Sequence, residues 1–143
     1  MQMRPARRAA GALALLLVAN AASAAAEGPA LRIELNRLEP LDKACRVYLV
    51  LANGTAESFE SFKLDLVLFD TDGVIARRLA VETAPLRPEK TSVKLFDLDD
   101  LACDRVGTVL VNDVLACSTA AGPIGDCVTR VETASRASAQ LVK

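Results

Sequence analysis

The stretch "FESFKLDLVLFD", residues 59–70, decides the fold. Phe62, Leu64, Leu66 and Leu68 recur every second residue, with Lys63 and Asp65 between them, so the period is two and the element is a β-strand with one buried face. "DTDG" (Asp70–Gly73) follows as a tight turn, because an Asp side chain accepts local backbone N–H groups and Gly takes positive φ. The return strand is "VIARRLAVE".

The same period extends outward in both directions. Leu31, Ile33 and Leu35 alternate with Arg32, Glu34 and Asn36. In "CRVYLVLANG", Val47, Leu49 and Leu51 form one face while Tyr48 and Val50 make the other apolar too, which predicts a central strand. Pro85 and Pro88 in "APLRPEK" cannot donate to a ladder and mark a loop or edge crossing. "TSVKLF" is a fifth strand, "RVGTVLVN" a sixth, and the tail "VTRVETASRASAQLVK" offers a seventh strand or a short helix. Short strands without intervening helices predict an all-β, immunoglobulin-like two-sheet sandwich of about seven strands.

The first residues have a different character. Arg4, Arg7 and Arg8 precede an apolar run from Gly11 to Ala19 and then small residues, the order of a cleavable export signal. Ala22-Ser23-Ala24 and Ala24-Ala25-Ala26 both satisfy the small-residue requirement, so residues 1–26 are read as a signal peptide. The Arg7-Arg8 pair admits the twin-arginine route, but "AAGAL" after it fits that motif poorly and leaves the general secretory route open. The expected location is periplasmic or secreted, with no membrane span after cleavage.

Residues 27–143 then form one domain, large enough for its own core. All 18 acidic residues but only 14 of 17 basic ones remain, a net charge of about −4. Nothing in that balance suggests a nucleic-acid or anionic-lipid surface.

Residues 51–96 carry a resemblance. Phe62, Leu68-Phe69-Asp70, Asp72-Gly73 and Leu86-Arg87-Pro88 resemble the FxLYD type of bacterial extracytoplasmic immunoglobulin-like domain, with Phe69 in place of the usual tyrosine. The overall layout is also similar to short exported bacterial proteins named only for a twin-arginine-type signal. The resemblance implies a fold and no known activity.

Four cysteines in an exported chain predict disulfides. With the strands lettered in order, Cys45 opens the second strand and Cys103 precedes the sixth; these run the same way, so their starts share one end of a sandwich. Cys45–Cys103 is the expected bridge between sheets, and Cys117–Cys127 then closes a loop at 117–127. Gly122, Pro123 and Gly125 give that loop its turns, and Pro123 and Ile124 are its candidate apolar contact residues.

Other chemistries find little support. The chain has no histidine, its two methionines lie in the leader, and the C-x9-C spacing is not a zinc knuckle, so neither metal nor other cofactor is expected. The same spacing is unlike the C-x-x-C of redox catalysts. Asp97, Asp99, Asp100 and Asp104 in "DLDDLACD" are read as a solvated crossover rather than a calcium loop, since no complete D-x-D-x-D-G pattern occurs. Asn53-Gly54-Thr55 matches a glycosylation sequon but is read as a turn. Arg77 and Arg78, adjacent on a strand, point to opposite faces and form no single fork. No nucleophile elbow or phosphate loop is present, so the chain is not expected to be an enzyme.

The expected role is a non-catalytic binding or accessory module for an envelope protein, contacting it through a sheet edge or the 117–127 loop. The alternatives are a protease-inhibitor-like protein using that loop and a carrier of a small ligand or metal. The oligomeric state is left open.

Overall fold

The computed structural model describes residues 31–143. The expected signal peptide and its cleavage site lie outside them. Nine strands form two facing sheets: β1 (Leu31–Pro40), β2 (Ala44–Asn53), β3 (Ser61–Asp70), β4 (Ile75–Glu82), β5 (Lys90–Asp99), β6 (Val106–Thr119), β7 (Gly122–Pro123), β8 (Val131–Ser135) and β9 (Gln140–Val142). One sheet runs β5-β2-β1-β8. The other runs β4-β3-β6-β7, with β9 parallel to β6. The first, second and fifth strands against the third, fourth and sixth is the strand division of an immunoglobulin-type sandwich.

β3 realises the pattern that opened the sequence. Phe62, Leu64, Leu66 and Leu68 are all buried, and they meet Ile33, Leu35, Val47 and Leu49 of the facing sheet in one continuous core. Phe59 and Phe62 add an edge-to-face pair with centroids 5.6 Å apart. A contact of that kind contributes about 1 kcal/mol beyond the area it buries. At the end of β3, the Asp70 carboxylate accepts the backbone N–H of Asp72 and of Val74, each at 2.9 Å, and Gly73 has φ of +80°. β2 lies between β1 and β5, as its two apolar faces predicted.

β6 is longer than its sequence suggests. Against β3 it carries an extra residue at Gly107, at Asn112 and at Leu115, so its alternation of faces is interrupted three times. At the first, a Cβ would sit 2.6 Å from the Asp70 carbonyl oxygen, which restricts the position to glycine.

The tail resolves into two short strands rather than one strand or a helix. Ser135 Oγ accepts from Ala137 N and donates to the Ala139 carbonyl at 2.6 Å, turning the chain between β8 and β9. The residue that would have glycosylated is equally committed: Asn53 is buried, and its amide is hydrogen-bonded on both sides within the β2–β3 loop.

The cysteines pair as Cys45–Cys103 and Cys117–Cys127. Cys45 is fully buried at the start of β2, and Cys103 lies in a 3-10 turn (Cys103–Arg105) that leads into β6. The bridge therefore ties one sheet to the entry of the other at one end of the sandwich. Among the described residues, no helix is long and apolar enough to cross a membrane.

Candidate interaction surface

A two-sheet sandwich exposes strand edges, whose unpaired N–H and C=O groups will accept another strand unless something prevents it. Two long edges here are obstructed by charge. On β5, Lys94 pairs with the fully buried Leu49 and so leaves the strand on the core side, while Val93 and Leu95 point outward. A second strand added there would trap the Lys94 ammonium between apolar faces. On β4, Arg77 pairs with Leu68 on the core side, and its guanidinium donates to the Asp99 carbonyl at 2.6 Å across the open flank.

Arg78 takes the opposite face, as adjacent strand residues must. It donates to both oxygens of Asp65, at 2.9 and 2.7 Å, and Asn112 Nδ2 donates to Asp65 Oδ2 at 2.7 Å. Asp65 was expected on a solvent face; it is on the outer face but only 3% exposed, because these two side chains cover it. The Arg78 hydrogen bonds, then Asn112, hold its carboxyl below the usual aspartate range against the opposing effect of burial. Asn112 can reach because it is the extra residue of a bulge.

The edge of β6 away from β3 is different. β9 pairs with Thr108–Leu110 and β7 with Ser118–Thr119. Between these, from Val111 to Cys117, no described strand pairs with that side. The chain that would fill the position instead makes a 3-10 turn (Cys127–Arg130) and crosses to β1 as β8. A groove of about 460 Å³ remains, lined by Leu110, Val111, Asn112, Val128, Thr129 and Lys143. Leu115, farther along the same stretch of β6, is 53% exposed. The cation that lines the groove, Lys143, donates its ammonium to the carbonyls of Val128, Thr129 and Val131 on the opposite wall, and no lysine or arginine lies between Val111 and Cys117 on β6 itself.

The 117–127 loop adjoins it. The segment is a hairpin rather than an open loop: β7 pairs Gly122 with Thr119 and Pro123 with Ser118, and Ile124 N donates to the Cys117 carbonyl at 2.8 Å. Gly122 supplies a φ of +120°. This hydrogen bond and the adjacent disulfide turn Ile124 inward, where it packs against the core. Pro123 is exposed and Ile124 is not, so the expected two-residue apolar tip is reduced to one residue. The signal for the site that was missed is the pair Asn112 and Leu115, which break the alternation of "VLVNDVLACS" and so mark bulges.

The aspartates of the β5–β6 crossover do not gather. Asp97 lies within β5, paired with Arg46 at 2.8 Å, and among the described residues no three His, Cys, Asp or Glu side chains converge as a metal site would require.

No family model matches the chain, and no curated protein does. A solved structure of IrmA from Escherichia coli is similar over 73% of this chain and 91% of that one, with a TM-score of 0.58 and 15% identity. At that identity the likeness is one of fold, and it agrees with the all-β sandwich described above.

Proposed function

We propose that the chain is a non-catalytic, exported β-sandwich that binds a protein of the cell envelope, and that it does so along the open stretch of β6 between Val111 and Cys117. One observation carries this: the edge strands β4 and β5 each place a cation of their own on the core side, whereas the Val111–Cys117 stretch of β6 has no described strand beside it, holds no lysine or arginine of its own and includes the exposed Leu115. An extended segment of the partner would add beside β6, its backbone satisfying the unpaired groups and its alternate side chains entering the groove. The rigid hairpin beside it limits the entropy lost on docking.

Export is supported by the basic, apolar and small-residue order of residues 1–26 and by two disulfides, which persist in an oxidising compartment. Kinship with FxLYD-type exported domains is part of the same proposal and rests on Phe62, Leu68-Phe69-Asp70 and Asp72-Gly73. The inhibitor alternative is less well supported, since Ile124 is turned toward the core and a single proline is a small bait for a protease cleft.

The test is chemical cross-linking in intact cells followed by capture of the protein. We expect one envelope protein to recur, and to be lost when Leu115 is replaced by Asp while the fold survives. Recovery of the protein alone, or undiminished capture by Leu115→Asp, would overturn the proposal.

A further inference from the structure

The opposite end of the sandwich carries a second, differently built surface. There the β1–β2 loop meets the β5–β6 crossover, and the contact is braced in two places: Cys45 is joined to Cys103, and Asp100 N donates to the Lys43 carbonyl at 2.7 Å. Within the β1–β2 loop itself, Leu41 N donates to the Ala44 carbonyl at 2.9 Å. Between the two segments lies a cleft with two lobes of about 300 and 320 Å³ that share the apolar Leu41, Ala44 and Ala102, the first lobe mixed in polarity and the second mainly apolar. Leu101 extends the floor of the first lobe, and Pro40 and Cys103 that of the second. Spaces of this size are at the small end for ligand pockets and suit single side chains better than a cofactor.

Each lobe has an acidic rim. Asp42 and Asp100 border the first, with Lys43, and Asp104 borders the second. The neighbouring acids Asp70, Asp72 and Asp97 are held by Arg105 and Arg46. Among the described residues, Asp42, Asp100 and Asp104 have no such cation within ion-pair distance. In the first lobe two carboxylates outnumber the single Lys43, and the second adds Asp104; aliphatic residues beside this excess of negative charge are complementary to a side chain with an apolar stem and a cationic head, which is the chemistry of lysine and arginine.

We propose that this cleft docks a basic segment of another protein, taking one Lys or Arg side chain in each lobe. The stems lie on Leu41, Leu101 and Ala102, and the heads meet Asp42, Asp100 and Asp104. The surface is at the far end of the strands from the open stretch of β6, so its test stands apart from that of the preceding proposal.

The experiment is an NMR titration of the 15N-labelled protein with three probes: the peptide Ac-Ala-Lys-Arg-Ala-NH2, its Ac-Ala-Gln-Gln-Ala-NH2 counterpart, and spermidine. We expect the basic peptide to shift amides confined to residues 41–44 and 100–104. Binding should weaken about tenfold in an Asp100→Asn/Asp104→Asn double variant, the effect of losing two exposed ion pairs. Asn tolerates the φ of +56° found at Asp100, so the variant keeps the loop conformation. Absence of shifts at saturating peptide, equal binding by the double variant, or equal binding of the Gln peptide would each overturn the proposal. Spermidine binding more tightly at the same amides would overturn it in favour of a polyamine site.

Discussion

Replacing Asn53 by alanine removes a knot of hydrogen bonds that no neighbouring side chain can remake. Its Nδ2 donates to the carbonyls of Glu57, Leu86 and Arg87 at 2.8, 3.2 and 3.1 Å. Its Oδ1 accepts from Thr55 N at 3.0 Å and Thr55 Oγ1 at 2.7 Å. An amide has two hydrogens, so three acceptors amount to two full bonds, and the net count lost is about four. At about 1 kcal/mol each, the expected loss is about 3–4 kcal/mol. A domain of this length has a total stability of about 5–15 kcal/mol, so Asn53→Ala removes a large part of it. The midpoint of thermal unfolding should fall by about 12–16 °C.

Urea unfolding followed by far-ultraviolet circular dichroism measures this directly, since the chain has no tryptophan and a single tyrosine for fluorescence. Asn53→Asp sharpens the test. It keeps the acceptor but turns a charged oxygen toward three carbonyls, so it should cost more than alanine at neutral pH. The excess should shrink on acidification, when the protonated carboxyl can donate again. An Asn53→Ala stability within about 0.5 kcal/mol of the parent would refute the reasoning, because surface substitutions alone fall in that range.

Three further outcomes are expected. Removing Cys45–Cys103 by paired alanine substitution should cost about 4 kcal/mol and removing Cys117–Cys127 about 2.7 kcal/mol, from loop closures over sequence separations of 58 and 10; equal losses in denaturant melts would contradict this ordering. Asp65 has a folded-state pKa below its unfolded value, so its contribution is complete above the ordinary aspartate pKa and lost as pH falls through the lower folded value. Asp65→Asn should therefore be less stable than the parent at neutral pH, with the gap narrowing below about pH 4; a gap independent of pH would contradict it. Lys94→Val should raise self-association in sedimentation velocity by freeing the β5 edge, whereas unchanged sedimentation at all concentrations would show that Lys94 does not guard it.

How far the sequence could be read depended on whether local chemistry or tertiary pairing decided each feature. The β3–β4 hairpin was legible because Asp70 and Gly73 determine the turn and Leu64, Leu66 and Leu68 determine the face. The separate directions of Arg77 and Arg78 follow from the pleat alone. Burial of Asp65 was not legible, because it needs Arg78 and an Asn112 displaced by a bulge 47 residues away. The partial burial of Ile124 was not legible for a similar reason: exposure in a short hairpin depends on which way its backbone bonds to Cys117. The open stretch of β6 is the least visible of all, since it arises where the chain after Cys127 leaves one sheet for the other, a choice that no periodicity encodes.

The central claim is that a partner docks along β6 and not along the guarded edges. A photo-cross-linking amino acid placed at Leu115, and in a separate strain at Leu95, tests it in intact cells, because both positions are exposed and apolar, at 53% and 44%. The account predicts a discrete adduct with an envelope protein from position 115 and none from position 95. An adduct from position 95 alone, or from neither, would contradict it.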